Sequence, residues 1–404
     1  MIYKDNDYKT MDDIEINYTE DELKIIEEGK VKIKFPDFDK VSSDAPVFYN
    51  PRMEFNRDNS ILALQAYQKE VDREINICDL FAGSGIRAIR YKKEIDGVGD
   101  VSVNDINPLA NWFAKINSQL NGVEVNIDQR EANIELRNNM GQFDVIDIDP
   151  FGTPSPFLDS ACYNLKRDSL LCVTATDTSC LCGTYEEPCI RKYNAKPYKS
   201  EYCHETGIRI LAGFTALTLA KYQKYIEIKM SHSSEHYMRI YMKVRKGSKA
   251  CDKSLRENIG YLAHCRRCLY RKPVQGLASD MGDVCPVCGE KLIGMGPLWI
   301  GAIQNREFIE SMIEIADEKE LNTKKQVLKL LNLCKDEAGA PISYYNIHDV
   351  CRVLKISAPK FDRIIEALRE KGFSAVKTHY NPIGIKTDAS NIELMDILKE
   401  MSNA

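Results

Sequence analysis

The stretch Ile75-Asn-Ile-Cys-Asp-Leu-Phe-Ala-Gly-Ser-Gly-Ile-Arg-Ala-Ile-Arg90 passes through three textures in turn. Its opening, 75–80, is a short apolar run rich in β-branched residues, which reads as a buried strand. Gly83 and Gly85 permit a tight turn and let a ligand lie against bare backbone at a helix N-terminus. Residues 86–93 then carry helical periodicity. The same alternation continues downstream, with strands predicted over 101–103, 123–127, 143–148 and 170–174 and helices over 109–121 and 157–165. Upstream, 31–35 alternates like a strand, 47–53 and 56–58 are loop-like, and 59–70 is helical. A helix over 208–223 and a hairpin of 225–230 with 236–244 follow. Strands separated by single helical segments imply right-handed crossovers and a mostly parallel sheet, so the fold class is α/β.

Length and composition bound what this fold can serve. The chain has 404 residues, 44% hydrophobic and 28% charged, which excludes a disordered chain, a collagen or a coiled coil. The apolar run from Leu211 to Ala220 is about half a membrane span, so no membrane partner is expected. Met1 to Asp13 is polar and acidic, unlike a signal peptide, which points to the reducing cytoplasm. The fourteen cysteines then read as metal ligands or core fillers rather than disulfides. The net charge of −5 is unevenly spread: residues 1–28 hold ten acids and three bases, reading as an acidic extension. Residues 239–272 hold eleven Lys/Arg against Asp252 and Glu257, a net +9. Such a stripe suits a polyanion, or is simply a solvated face. Past Lys246 a Cys/Gly/Pro-rich segment spans 249–301, and 302–404 is mainly helical, leaving 29–248 as the α/β domain.

Three acids at successive strand ends narrow the ligand. Asp79 opens the glycine loop, where it would oppose a pyrophosphate. Asp105 ends the next strand, placed to accept both hydroxyls of a ribose. Glu131-Ala132 follows the third, where a carboxylate and a backbone N–H can bracket an adenine edge. Carboxylates here suit a nucleoside with a cationic centre and no phosphates, which describes S-adenosylmethionine. Its own carboxylate needs a cation, for which Arg57 and Arg90 are candidates. Each acid taken alone is equally at home as a helix cap or surface residue.

The reacting group is read from Phe143-Asp-Val-Ile-Asp-Ile-Asp-Pro-Phe-Gly152, in which a buried strand delivers Asp149 to the carboxyl end of the sheet. An exocyclic base amine is a poor nucleophile, because its lone pair is delocalised into the ring. A carboxylate at Asp149 and the Pro150 carbonyl can accept its two N–H groups and direct the lone pair; Asp149 can also take the released proton. Phe151 offers a flat face for an unstacked base, and Phe48 is a candidate for the opposing face or a core aromatic.

Cys265-Arg-Arg-Cys268 and Cys285-Pro-Val-Cys288 are two C-x-x-C knuckles, the spacing of a structural zinc ribbon. Cys180, Cys182, Cys189 and Cys203-His204 lack knuckle spacing and read as buried thiols of a substrate loop rather than a second metal site.

With these motifs in view, residues 27–301 resemble the archaeal and eukaryotic tRNA (guanine(26)-N(2))-dimethyltransferase family. The resemblance rests on Phe48-Tyr-Asn-Pro-Arg-Met53 with Asn56-Arg-Asp58, Gly85-Ile-Arg-Ala-Ile-Arg90, Asn104-Asp105 and Asp147-Ile-Asp-Pro-Phe-Gly152. Val173-Thr-Ala-Thr-Asp177, Leu181-Cys-Gly183, Cys189-Ile-Arg-Lys-Tyr193, Cys203-His-Glu205 and Gly296-Pro-Leu-Trp299 extend it. It implies a class I, Rossmann-like S-adenosylmethionine-dependent methyltransferase domain that adds one or two methyls to a tRNA guanine. It places donor contacts on Arg57, Arg90, Asp105, Glu131 and Ala132, beside Gly83 of the glycine loop, and substrate contacts on Asp149, Phe48 and Phe151. The glycine loop departs from the family in having Ser84 where Thr is common, and Glu131 stands where Asp is common. Two helices joined by Ile356-Ser-Ala-Pro359 and followed by a strand suggest a winged-helix module for gripping tRNA, or a structural helical domain. No obligate protein partner is evident. The competing readings are a DNA or protein amino-methyltransferase and a non-catalytic zinc-containing nucleic-acid binder.

Overall fold

The computed structural model describes residues 10–15, 18–36, 47 and 49–403. In chain order the elements are β1 (Leu23–Glu28), β2 (Val31–Pro36), α1 (Glu54–Val71), β3 (Ile75–Asp79), α2 (Ile86–Glu94), β4 (Val98–Asn104) and α3 (Pro108–Leu120). Then come β5 (Asn126–Asp128), α4 (Ala132–Asn138), β6 (Val145–Ile148), α5 (Ser155–Asn164) and β7 (Leu170–Ala175). The next stretch holds α6 (Thr178–Leu181), α7 (Glu186–Tyr193), α8 (Cys203–Ala220), β8 (Lys224–Ser234), β9 (Tyr237–Lys246) and α9 (Ser248–Asn258). It continues with β10 (Ile259–His264), β11 (Arg271–Gln275) and β12 (Ile293–Trp299). The chain closes with α10 (Arg306–Glu318), α11 (Lys324–Glu337), β13 (Tyr345–Asn346), α12 (Ile347–Leu354), α13 (Phe361–Glu370), β14 (Ala375–Lys377), β15 (Gly384–Thr387) and α14 (Asn391–Asn403).

The main sheet is mixed, with strand order β5-β4-β3-β6-β7-β9-β8. β3 to β7 pair in parallel, and β8 with β9 is an antiparallel hairpin. The parallel strands lack hydrophobic alternation because helices cover both faces. Ile77, Val103, Val145, Ile146 and Val173 are all fully buried, each contributing roughly 1.5–3 kcal/mol.

The chain divides into two compact units: residues 1–173 with 310–329, and residues 174–309 with 330–404. Helices α10 and α11 therefore each straddle the division. Side chains of 310–329 explain the assignment. Lys319 Nζ donates to Gln65 Oε1 at 3.0 Å, and Thr323 donates to Asp58 Oδ2 through both its backbone N–H and its hydroxyl, at 3.1 and 2.6 Å. These residues belong to the first unit although they lie beyond its last strand in sequence.

The acidic extension read from residues 1–28 conceals a strand. β1 pairs antiparallel with β2, with Glu28 opposite Val31. Ten acids mask a short segment in which Ile26 and Glu28 face inward, and Glu28 ends wholly buried.

In the second unit, β11-β10-β12 form a small antiparallel sheet around the cysteine knuckles. The C-terminal part has α12 and α13 followed by the β14–β15 hairpin, with strand order β13-β15-β14. Ile347, Ile364, Leu368, Ile385 and Leu394 share one core there.

Candidate functional site

Every acid singled out in the first unit lies at or just past the carboxyl end of a parallel strand. Asp79 is in register with Asp147 on the neighbouring strand. The loop after β3 turns through Gly83 and Gly85, both at positive φ. A Cβ at Gly85 would come 2.9 Å from Ala114 Cβ of α3, so glycine is required there for conformation and for space. Asn104 ties the strand ends together. Its amide donates to the carbonyls of Leu80 and Arg130, and its Oδ1 accepts the Arg130 N–H at 3.1 Å.

Asp79 is 1% exposed, and neither carboxylate oxygen has a hydrogen-bond partner among the described residues. Burial pushes its carboxyl up to about 7; Arg87 opposes the shift, while Asp147, Asp149 and Asp105 add to it. Asp105 is better supported, its Oδ2 accepting the Gly83 N–H and its Oδ1 the Asn107 N–H, both at 2.9 Å. Burial still holds its carboxyl above the usual range. Glu131 caps α4, accepting the N–H groups of Asn133 and Ile134 at 2.9 and 3.2 Å, and Ala132 is buried beneath it.

Asp149 directly follows β6, and its side chain is 14% exposed. Its carboxylate accepts a hydrogen bond from Arg87 Nη2. Arg87 also approaches Asp147 at 3.6 Å and Ser60 Oγ at 3.2 Å, while the Tyr91 hydroxyl donates to Asp147 Oδ2 at 2.6 Å. Phe151, two residues on, is 56% exposed, an unusual placement for a phenylalanine. The structure thus brings Asp79, Asp147, Asp149 and Arg87 into one electrostatic group, with Phe151 open to solvent beside it. Phe48 lies outside the described residues. Arg87 was not foreseen as a site residue; the signal available was its place on the first turn after the glycine loop.

Arg57 and Arg90 meet each other through Glu28 instead. Arg57 donates to both Glu28 oxygens, at 2.6 and 2.5 Å. Arg90 is wholly enclosed and reaches Glu28, Asp58 and Glu94, each at 2.8 Å. Burial works against the Glu28 carboxylate, but Arg57 and Arg90 outweigh it and hold its carboxyl below the ordinary range.

In the second unit the four knuckle cysteines converge, with all four Sγ atoms within 4.8 Å of one another. Leu269 and Gly289, each one residue past its second cysteine, share a left-handed backbone at φ 59° and 73°. Each donates its N–H to the carbonyl of the first cysteine of its own knuckle, at 3.0 Å in both. Two equivalent turns presenting two thiols each bring together four thiols that could hold a metal ion. No two of the cysteines are disulfide-bonded. The basic stripe is less uniform than its charge total suggests. Arg239 and Lys243 are buried, whereas Lys246, Lys249, Lys253, Arg256, Arg266, Arg267 and Lys272 are exposed. Among the described residues no helix is long and apolar enough to cross a membrane.

Residues 29–399 match the model of the N2,N2-dimethylguanosine tRNA methyltransferase family. A tRNA (guanine(26)-N(2))-dimethyltransferase of Methanobrevibacter smithii is 63% identical, with 95% of this chain and 98% of that protein covered. Its namesake in Methanothermobacter thermautotrophicus is 53% identical, over 92% of this chain and 98% of that protein. Trm1 from Pyrococcus horikoshii, solved in complex with S-adenosyl-L-methionine, superimposes with a TM-score of 0.84 at 34% identity. That match covers 93% of this chain and 100% of that one. The chain belongs to the N2,N2-dimethylguanosine tRNA methyltransferase family.

Proposed function

We propose that this protein transfers one or two methyl groups from S-adenosylmethionine to the exocyclic N2 amine of guanine 26 in tRNA. The observation that carries this reading is Asp149 at the mouth of β6, beside Asp79, a buried carboxylate with no hydrogen-bond partner among the described residues. An unpaired buried carboxylate is costly unless a ligand supplies the missing charge. Asp79 therefore fits a cationic donor. When bound, the donor supplies an electrophilic methyl on sulfur that departs as a neutral thioether.

The chain's own residues do the rest. Asp105 accepts the ribose hydroxyls, since each of its oxygens keeps a lone pair beyond the backbone N–H it already holds. Gly83 lets the donor approach bare backbone. Ala132, at the first turn of α4, has an N–H without an intrahelical partner for the adenine edge, and Glu131 holds that turn in place. The donor's carboxylate is assigned to Arg57 and Arg90, whose contacts with Glu28 it must share. Asp149 and the Pro150 carbonyl accept the guanine amine, and Asp149 takes the proton released. Phe151 and Phe48 bracket the unstacked base. The Asp-Pro-Phe order suits a planar amine better than an aliphatic one.

Zinc is assigned to Cys265, Cys268, Cys285 and Cys288, closed by four protein ligands and therefore structural. Residues 249–301 form a zinc-ribbon-like segment, and 302–404, with a winged-helix order of elements, contributes to holding tRNA with the exposed bases of the stripe. The fourteen free thiols accord with action in the cytoplasm. The test is incubation with methyl-labelled donor and separate pools of tRNA, DNA and protein. Label in tRNA guanosine N2 alone is expected. Label confined to DNA or protein would overturn the reading, and no label anywhere would leave a binder.

A further inference from the structure

A second group of metal-binding atoms lies in the second unit, apart from the knuckles. Cys182 Sγ, Cys203 Sγ and one ring nitrogen of His204 all lie within 4.8 Å of one another. Cys182 follows α6 as its C-terminal cap, and Cys203 and His204 open α8. His204 Nδ1 is 3.8 Å from Cys182 Sγ and 3.3 Å from Ser233 Oγ. Sequence spacing favoured buried thiols here, because 20 residues separate the two cysteines and no knuckle is present; the fold nevertheless groups Cys182, Cys203 and His204.

The fold takes specific steps to bring them together. Gly183 has φ +82°, and a Cβ there would stand 2.7 Å from the backbone of Tyr198 and of Lys199. Only glycine lets the chain after Cys182 lie flat against the segment leading into Cys203. Cys203 sits at the first position of an eighteen-residue helix, where the helix dipole favours a thiolate. Cys180 and Cys189, thiols of the same segment, hydrogen-bond each other and stand outside the ligand group.

The geometry points to a second metal site, in which Cys182, Cys203 and His204 bind a zinc-class divalent cation. With metal–sulfur near 2.3 Å and metal–nitrogen near 2.0 Å, tetrahedral angles place sulfur and nitrogen roughly 3.5 Å apart. The 3.8 Å between Cys182 Sγ and His204 Nδ1 needs only a small adjustment. Two thiolates and a neutral imidazole balance the charge of a divalent ion, which suits a half-buried place. The fourth position falls to the Ser233 hydroxyl or to water. Filled, the site clamps the 182–203 segment, whose part from Ala195 to Tyr202 has almost no regular structure, onto the start of α8.

The test is metal stoichiometry of the full-length chain, produced with zinc supplementation and dialysed against metal-free buffer. Wild type should hold two equivalents, and Cys182→Ser and His204→Ala should each hold one. The Cys265→Ser/Cys285→Ser double variant should keep one equivalent, lost when Cys182→Ser is added. Circular dichroism monitors folding, and cobalt(II) added to the metal-free His204→Ala chain should show less thiolate charge-transfer absorption than in wild type. Zinc content unchanged by Cys182→Ser and His204→Ala would overturn the proposal. So would a Cys182–Cys203 disulfide in the intact mass of protein purified without air. Because the knuckle variants are measured separately, empty knuckles and an empty second site are distinguishable.

Discussion

Asp79 in the first unit and Glu205 in the second are both fully buried carboxylates, and their surroundings drive them in opposite directions. Burial pushes Asp79 up to about 7 because only Arg87 opposes it, among three other carboxylates. Burial pushes at Glu205 too, but Lys386 and Arg209 reverse it and bring its carboxyl down to about 2. Lys386 Nζ lies 2.9 Å from Glu205 Oε2, Arg209 Nη2 lies 2.9 Å from Oε1, and the Ser343 N–H donates at 2.9 Å. Lys386 also reaches Glu337 at 3.6 Å, which in turn holds His379 at 2.6 Å. One network is closed and holds the fold together. The other leaves a carboxylate with Arg87 alone set against three neighbouring acids at the mouth of the sheet, where a ligand can supply a further cation.

The contrast can be broken at several points. Removing Asp149 should have the largest effect: Asp149→Ala should lower methyl transfer on the order of 10²–10⁴-fold. Donor affinity, read by calorimetry, should stay within about threefold. A comparable loss of donor affinity would place Asp149 in the donor site instead. Next, Glu205→Ala leaves Lys386 and Arg209 buried without their anion, which should cost about 3–5 kcal/mol. Thermal melting should fall by on the order of 10 °C; an unchanged melting temperature would show the network is not closed as described.

Asp79→Asn should do the reverse. A carboxyl raised from 3.8 to about 7 on folding costs nothing below pH 4, and its cost grows as pH rises to about 7. The variant should therefore melt a few °C above wild type at pH 8 and together with it at pH 4. It should also bind donor less tightly. Equal melting at both pH values would show that Asp79 already has its charge partner. Glu205 gives the opposite pH signature. Its folded value lies below its ordinary one, so its contribution is present above about pH 4.5 and is lost as pH falls toward 2.

The first unit was more legible in sequence than the second, for a physical reason. Strand, glycine turn and helix are contiguous, so 75–90 showed its place directly, and acids just past strand ends fall where parallel sheets bind ligands. Arg87 was missed because its partner Asp149 is 62 residues away, and its place on the first turn of α2 was the one local signal that set it apart from Arg90. Glu28 was missed because it sits among acids that are exposed; only the pairing of β1 with β2 carries it inward to Arg57 and Arg90. In the second unit the knuckles were legible from local spacing. Cys182 and His204, and the charges around Glu205, meet only through tertiary packing, and so does the seating of 310–329 in the first unit.

The central claim is that Asp79 waits for a cation that the donor brings. Donor titration into the free protein at pH 7, in two buffers of different ionisation enthalpy, measures the protons exchanged on binding. A carboxyl near 7 is about half protonated there, and a bound cation favours its charged form, so roughly half a proton should be released per donor. Asp79→Asn should release none. Binding by wild type with no proton release, or with the same release in the variant, would contradict the account.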